Sequence, residues 1–275
     1  MIVTRFAPSP TGYLHVGHAA SALTGWRAAR DSGGRFLLRV EDIDATRCRP
    51  EYETAIFEDL AWLGLEWETP VRRQSDHLED FAAALKALSQ RGLTYRCFRT
   101  RREVADAIGG APHGTMEAFR GGPLPLDEET ARIAAGETYA WRLSLHAAER
   151  ALGGFGGLSF VEEGEGLVPA RPELGGDVIL ARKDVGVAYH LAVVVDDALQ
   201  GVTHVIRGRD LFEATHVQRL LQALLNLPVP TYRHHRLLVG PDGKRYAKRD
   251  RAQTLRSLRD TGVDPATLRR EMGFG

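Results

Sequence analysis

The chain is short of cysteine and has no excess of charge of either sign. Its 275 residues include two cysteines, and 36 Lys and Arg balance 36 Asp and Glu. Two cysteines exclude a disulfide framework and favour a reducing compartment, so we expect a cytoplasmic protein. Zero net charge excludes a basic field over the whole surface but leaves local basic patches open.

Long apolar runs are also missing. No stretch approaches the ~18–20 apolar residues that a membrane span needs, and Met1–Arg5 has neither the charged nor the apolar part of a signal peptide. We therefore expect no membrane partner. With 43% hydrophobic and 26% charged residues, the composition is that of a globular chain, and the length fits one large domain or two small ones.

Strand-like and helix-like segments alternate along most of the chain. Short apolar runs such as Ile2–Phe6 and Phe36–Val40 are typical of buried strands, and apolar residues at helical spacing follow them. This alternation predicts right-handed βαβ units and a parallel sheet, which is an α/β fold. Glycine and proline interrupt the rhythm in the middle of the chain, and further strands are predicted at Ala188–Val195 and Val202–Ile206.

The breaks divide the chain into four predicted segments. They are the first half of the sheet domain at 1–95, an inserted smaller α+β subdomain at 96–184, the second half of the domain at 185–239, and a basic loop with a short helical stub at 240–275.

His15-Val16-Gly17-His18 stands where a strand and loop lead into a helix. A helix N-terminus attracts phosphate through its unpaired N–H groups and the helix dipole, and histidines one turn apart can donate to phosphate oxygens. Gly17 leaves room for a flat base near the backbone. Two ordinary surface histidines are the alternative, because this pattern alone is only moderately specific.

Charged side chains stand at the ends of the predicted strands. Arg5 ends the first strand, Glu41 follows the second, and Arg207 and Tyr189 lie at later strand ends. Ligands of open α/β sheets bind outside the carboxyl ends of strands, where a fixed arginine can hold a carboxylate or phosphate. The basic segment 244–249 can close on a triphosphate. Taken singly, each of these features is equally typical of a solvated surface.

Together these residues resemble a class I aminoacyl-tRNA synthetase of the glutamyl branch. RFAPSPTGYLHVGH is similar to the N-terminal block with the HIGH signature, VEDIDATR to the block after it, and RGRDL and RYAKR follow in order, the last at the place of the KMSKS signature. The resemblance implies a Rossmann-like catalytic domain that activates L-glutamate with ATP and Mg²⁺ to glutamyl-adenylate. It also implies transfer of the glutamyl group to an RNA hydroxyl.

The resemblance further implies roles for individual residues. Arg5 and Arg207 would hold the two carboxylates of glutamate, in an order that stays open, and Glu41 would hold its ammonium group, with Ser9 and Tyr189 in support. The residues implied to contact ATP are Pro8, His15, Gly17, His18, Arg209, Asp210, Leu211 and Lys248. Of these, His15, His18 and Lys248 are the implied catalytic residues, and no metal ligand is implied in the protein.

Two positions depart from the family pattern. In the KMSKS-like segment, Arg245 replaces the first lysine and Ala247 the serine, but Lys248 keeps the second lysine, so we expect activity. Related bacterial proteins often carry zinc in the insertion, opened by Cys-x-Cys, whereas here Cys97 is followed by Arg99 at the second position. Structural zinc needs four protein ligands, and only one of the two cysteines of this pattern is present, so we predict no zinc.

Only 26 residues follow Arg249, where a glutamyl-tRNA synthetase continues into an anticodon-binding domain. On this length the chain resembles the glutamyl-queuosine subfamily, which activates glutamate without tRNA and attaches it to queuosine in the anticodon loop of tRNA(Asp). We expect a monomer that binds this anticodon stem-loop, with five arginines between Arg91 and Arg102 as a patch for RNA phosphates. A shortened synthetase charging tRNA(Glu) and an inactive paralogue that binds tRNA or an amino acid are the alternatives.

Overall fold

The computed structural model describes residues 1–100, 102–105, 118–182, 186–236 and 253–274. Its helices are α1 Val16–Asp31, α2 Pro50–Trp62, α3 Leu78–Gln90, α4 Leu126–Ala134, α5 Leu145–Leu152, α6 Tyr189–Leu199, α7 Phe212–Leu225, α8 Leu255–Asp260 and α9 Pro265–Glu271. Its strands are β1 Val3–Phe6, β2 Arg35–Val40, β3 Glu68–Arg73, β4 Thr94–Cys97, β5 Ala140–Leu143, β6 Ser159–Glu162, β7 Gly166–Pro169, β8 Ile179–Arg182, β9 Gly186–Val187, β10 His204–Gly208 and β11 Thr231–His235. Within these ranges no helix is both long and apolar enough to cross a membrane.

The main sheet consists of two groups of parallel strands, from distant parts of the chain, that lie side by side. β1, β2 and β3 pair in that order, and β10 pairs with β11. β1 joins β10 through Thr203 N–H, which donates to the Val3 carbonyl at 3.0 Å, while Val3 N–H donates to Thr203 Oγ1 at 2.8 Å. The resulting order β3-β2-β1-β10-β11 confirms the predicted α/β class. In this order the chain winds toward one edge of the sheet from β1 to β3 and toward the other edge from β10 to β11. Sheets of this class bind ligands at such a switch point, here between β1 and β10.

Apolar side chains cover both faces of this sheet. On β2, Phe36 and Leu38 pack in one core with α1, α2 and the C-terminal helices, whereas Leu37 packs in the other core with α3, α6 and α7. Successive strand residues point to opposite faces, so a strand buried on both sides reads as a continuous apolar run. The sheet is therefore a rigid, doubly covered layer whose strand ends can hold side chains in fixed positions.

The middle of the chain contributes to two sheets. β4, β5, β8 and β9 form a separate antiparallel sheet. β6 and β7 form a hairpin, and β6 lies parallel to β11 with Glu162 opposite Tyr232. The sequence predicts a smaller α+β subdomain at 96–184, and short strands are present in this range. The pairing of β6 with β11 adds that this hairpin continues the main sheet.

The predicted strand at Ala188–Val195 is wrong, because these residues open helix α6. The segment is apolar almost throughout and is buried on all sides, and a short apolar run of this kind suits either a core helix or a buried strand. A strand that was not predicted, β3, is charged and contains Pro70, so neither its composition nor its pattern suggested one.

One buried carboxylate makes stability depend on pH. Asp59 on α2 has no exposed surface, and within the described ranges neither of its oxygens has a hydrogen-bond partner, with Arg259 Nη1 the paired cation at 3.5 Å. Burial raises the pKa of Asp59 from 3.8 to about 6. The folded state therefore keeps a proton that the unfolded state has lost, and stability falls as the pH rises from about 4 to 6.

We expect Asp59→Asn to abolish this loss. The unfolding free energy of the variant relative to the parent should rise by on the order of 2 kcal/mol between pH 4 and pH 7 and stay level above that. Urea unfolding across this pH range measures it. Asp31→Asn, at an exposed aspartate that pairs with Arg27 on α1, is the control. A difference between Asp59→Asn and the parent that does not change with pH would contradict the assignment.

Candidate active site

A cavity of about 680 Å³ opens at the carboxyl ends of β1 and β10, where the strand order reverses. Most of the predicted site residues line it, although they come from segments as far apart as residue 5 and residue 211. Those brought together are Arg5, Pro8, Ser9, His15, Gly17, His18, Glu41, Tyr189, Arg207, Asp210 and Leu211. The sheet thus gathers these side chains in one pocket at its switch point.

Arg5 and Glu41 are held by a buried ionic cluster around Arg39. Asp197 on α6 accepts from Arg5 Nε at 3.1 Å and from Arg39 Nη1 at 2.7 Å, and Arg39 Nη2 donates to Glu41 Oε1 at 3.0 Å. Burial raises the pKa of Glu41 above its usual value, against the opposing influence of Arg39 and Arg5. A ligand cation beside Glu41 would favour its ionised form.

The position of Asp197 depends on α6 being a helix. The helix starts at Tyr189, whose ring lines the cavity, and two turns later it places Asp197 behind Arg5. Burial alone would raise the pKa of Asp197, but Arg5 and Arg39 hold it below its usual value. Arg5 therefore enters the cavity with its charge already largely balanced.

Arg207 is held differently. Its Nε donates to His234 Nε2 at 3.0 Å, its Nη1 to the Tyr189 hydroxyl at 3.3 Å and its Nη2 to Thr215 Oγ1 at 2.7 Å. Only 5% of Arg207 is exposed, and among the described residues it has no carboxylate partner. The pocket thus contains a nearly buried cation with neutral partners, and such a charge is costly unless a ligand supplies the anion.

The two histidines cap the first helix. Gly17 N–H donates to His15 Nδ1 at 3.1 Å, His15 N–H donates to His18 Nδ1 at 3.2 Å, and the two rings stack with centroids 3.8 Å apart. Because each Nδ1 accepts a backbone hydrogen, the neutral rings carry their protons on Nε2 as donors. A Cβ at Gly17 would lie 3.0 Å from His15 Cε1, so glycine keeps this arrangement uncrowded.

A second cavity of about 420 Å³ adjoins the first. Ser9, Thr11, Glu41 and Tyr189 line both cavities, so they form the boundary between them. The far side of the second cavity is polar and includes Asp44, Arg47, Cys48, Gln74 and Arg182. A group that enters from this side would meet the first cavity beside Glu41.

Among the described residues, one predicted ATP contact, Arg209, is not in the cavity lining. Arg209 points elsewhere: its Nη1 lies 2.6 Å from Glu165 Oε1, and its guanidinium stacks over Phe212 at 4.0 Å. Lys248, with the rest of the KMSKS-like segment, lies outside the described residues. The contact of Lys248 with ATP stays a prediction.

The predicted arginine patch is partly used inside the protein. Arg91 donates to the Leu224 carbonyl, and Arg96 Nη1 lies 2.5 Å from Glu129 Oε1 while its guanidinium stacks over Trp141 at 4.6 Å. These arginines therefore have intramolecular partners.

Sequence reasoning missed several residues around the cavity. His235 and Ser21 line it and hydrogen-bond to each other at 2.7 Å, and His234 with Glu162 lies directly behind Arg207. Buried and more exposed residues alternate along β11, and Tyr232 and His234 are the buried ones. This alternation is a signal that could have identified His234. Glu162 gave no such signal, because only the pairing of β6 with β11 brings it there.

Among the described residues there is no group of three or more His, Cys, Asp or Glu side chains placed to hold a metal ion. Cys97 lies in an apolar cluster with Tyr95 and Phe119. Mg²⁺ commonly binds through substrate phosphates with few protein ligands, so this pocket fits Mg²⁺ carried by a nucleotide. The absence of zinc stays a prediction.

Residues 1–273 match the family of class I tRNA synthetases (E and Q), catalytic domain. The chain therefore belongs to this family of aminoacyl-tRNA ligases, and the predicted resemblance is confirmed. Among its relatives are two proteins named glutamyl-Q tRNA(Asp) synthetase. The one from Rhodobacter capsulatus is 46% identical over 99% of this chain and 100% of its own length, and the one from Symbiobacterium thermophilum is 41% identical over 98% and 84%.

Glutamate–tRNA ligases are also similar, over a smaller share of their length. The ligase of Prochlorococcus marinus is 35% identical and is matched over 98% of this chain but 57% of its own. Among solved structures, a glutamate tRNA ligase from Elizabethkingia meningosepticum has a TM-score of 0.80 at 24% identity, over 98% of this chain and 60% of that one. This structural likeness shows the fold.

Proposed function

We propose that the chain activates L-glutamate with ATP to glutamyl-adenylate, without tRNA, and transfers the glutamyl group to queuosine in the anticodon loop of tRNA(Asp). The observation that carries the first half is the state of Arg207, a nearly buried cation with only neutral described partners in the cavity wall. A dicarboxylate whose side chain is anionic supplies the missing charge.

The charges in the cavity support one orientation of glutamate. Its side-chain carboxylate would bind Arg207, because the guanidinium charge there is least balanced and attracts an anion most strongly. Its ammonium group would bind Glu41, with Ser9 and Tyr189 beside it. The α-carboxylate must stay nucleophilic to attack the α-phosphate, so we place it near Arg5, which Asp197 already largely neutralises. Pyrophosphate leaves, and no protein nucleophile is needed.

ATP would occupy the His15 side of the cavity. The start of α1 presents backbone N–H groups with His15 and His18, and Pro8, Gly17, Asp210 and Leu211 line the same space. Phosphate suits this helix terminus. Mg²⁺ bound to ATP would offset phosphate charge, and Lys248 is proposed to stabilise the charge that develops on the leaving pyrophosphate.

The second cavity supports the transfer step. It meets the glutamate side of the first cavity at Glu41 and Tyr189, so an acceptor hydroxyl that enters there would lie beside the activated carboxyl group. An anticodon loop offers unstacked bases that fit such pockets. The acceptor is proposed as queuosine because the relative matched over its whole length carries the name glutamyl-Q tRNA(Asp) synthetase.

The test has two stages. Exchange of labelled pyrophosphate into ATP, with glutamate and no tRNA, should proceed with glutamate and stay at background with aspartate. Labelled glutamate should then attach to tRNA(Asp) that contains queuosine, and tRNA(Asp) without queuosine is the matched control. Exchange that requires tRNA would overturn tRNA independence, and labelling of tRNA(Glu) alone would favour the shortened glutamate–tRNA ligase. No glutamate binding at all would favour an inactive paralogue.

A further inference from the structure

A buried row of three side chains lies behind the cavity wall. It runs from Glu162 on β6 through His234 on β11 to Arg207 on β10. We propose that His234 is a positioning residue, which fixes the orientation of the Arg207 guanidinium without neutralising its charge. This inference rests on the proposed binding of glutamate by Arg207.

The contacts determine which nitrogen of His234 carries the proton. An arginine Nε–H can only donate, so His234 Nε2, at 3.0 Å from Arg207 Nε, is the acceptor. The ring proton is then on Nδ1, which donates to Glu162 Oε2 at 2.8 Å. The backbone N–H of His234 also donates to Glu162 Oε1 at 2.7 Å. Glu162 thus fixes both the tautomer and the ring plane.

The imidazole is held neutral. Burial, together with the nearby charge of Arg207, lowers the pKa of His234 to about 3. The ring is fully enclosed, with no exposed side-chain surface, and it stacks on Tyr232 at 6.0 Å between centroids. At neutral pH it therefore offers Arg207 a lone pair and no charge.

This arrangement differs from the one at Arg5. Arg5 Nε donates to the Asp197 carboxylate, so its charge is balanced inside the protein. At Arg207 the imidazole stands between the guanidinium and the Glu162 carboxylate, and Thr215 and Tyr189 supply the remaining neutral acceptors. Three neutral partners fix the fork of Arg207 while its charge remains for the ligand. We therefore expect His234 to contribute to selection of glutamate over glutamine.

A matched pair of polar substitutions tests this role. In His234→Gln, the amide oxygen lies near the position of Nε2 and can still accept a hydrogen bond from Arg207. In His234→Asn, the side chain is too short to reach Arg207, but its amide can still donate to Glu162. We expect His234→Asn to raise the KM for glutamate roughly tenfold or more in pyrophosphate exchange, with the KM for ATP within about twofold. His234→Gln should stay within about threefold of the parent for both substrates.

Two further measurements separate positioning from folding. His216, another buried histidine, accepts from Arg171 N–H and packs on Phe160, so His216→Asn is the control and should leave the KM for glutamate unchanged. Calorimetric titration with glutamate measures the affinity of the same variants for glutamate in the absence of turnover. In addition, His234→Asn should lower the preference for glutamate over glutamine, measured as the ratio of kcat/KM values.

Equal KM values for glutamate in the parent, His234→Gln and His234→Asn would overturn the positioning role. So would an equal effect of His216→Asn, or a loss that falls equally on glutamate and ATP. A parent protein that neither catalyses exchange nor binds glutamate would instead refute the proposed function itself, and with it this inference. A parent that is active while its His234 variants match it refutes the inference alone.

Discussion

Replacing Arg207 by methionine is expected to lower kcat/KM for glutamate in pyrophosphate exchange by about 10³-fold. The guanidinium would make two charge-assisted hydrogen bonds to the ligand carboxylate, and each is worth about 1.5–3 kcal/mol. Methionine fills similar space but leaves His234, Thr215 and Tyr189 without their donor and the carboxylate without a cation. The KM for ATP should change little, because Arg207 lies on the side of the cavity proposed for glutamate.

Two other variants complete this experiment. Arg207→Lys keeps the charge but loses the planar fork, so we expect a smaller defect that falls mainly on the KM for glutamate. Arg233→Met on the neighbouring strand removes an exposed arginine 3.5 Å from Glu163 and should leave exchange unchanged. An unchanged KM for glutamate in Arg207→Met would contradict the assignment of the side-chain carboxylate to this residue.

Arg39→Met is expected to destabilise the fold by about 3–5 kcal/mol. Arg39 is completely buried and is the common partner of Asp197, Glu41 and Asp196. Burial alone would lower the pKa of Arg39, but these carboxylates raise it above its usual value. Removing the cation leaves three buried acids near one another, and the cost is their desolvation together with their mutual repulsion.

An arginine four residues earlier on the same strand provides the control. Arg35 also pairs with a carboxylate, Glu68, at 2.6 Å through two nitrogens, but about 45% of its side chain is exposed. Exposed pairs contribute about 0.2–1 kcal/mol, so Arg35→Met should shift the unfolding free energy by less than about 1 kcal/mol. Urea unfolding followed by tryptophan fluorescence measures both. Equal losses in the two variants would contradict a special cost of burial at Arg39.

The residues that sequence reasoning identified share a simple property. Arg5, Glu41 and Arg207 each stand at the end of a strand that an apolar run makes evident, and parallel strands bring their carboxyl ends to one edge. The order of the segments that resemble family motifs then linked them to one family. Position along the chain was therefore enough to predict which of these side chains would share a cavity.

Other features depend on contacts that no local pattern encodes. The apolar segment after Ala188 suits a strand or a helix equally, and only its burial on all sides decides for α6. Arg209 belongs to the same RGRDL segment as Arg207 and follows it by two residues. Its side chain nevertheless lies outside the cavity lining and pairs with Glu165. Glu162 reaches His234 only because β6 aligns with β11, across 72 residues of sequence.

The junction between β1 and β10 has a consequence for how the chain folds during synthesis. Val3 and Thr203 are 200 residues apart, so β1 keeps an unpaired edge while most of the protein is being made. The cavity at the carboxyl ends of β1 and β10 is incomplete until β10 has left the ribosome. Pairing between strands so far apart in sequence is slow to form. A ligand of this cavity therefore cannot stabilise the first three strands while the rest of the chain is still being made.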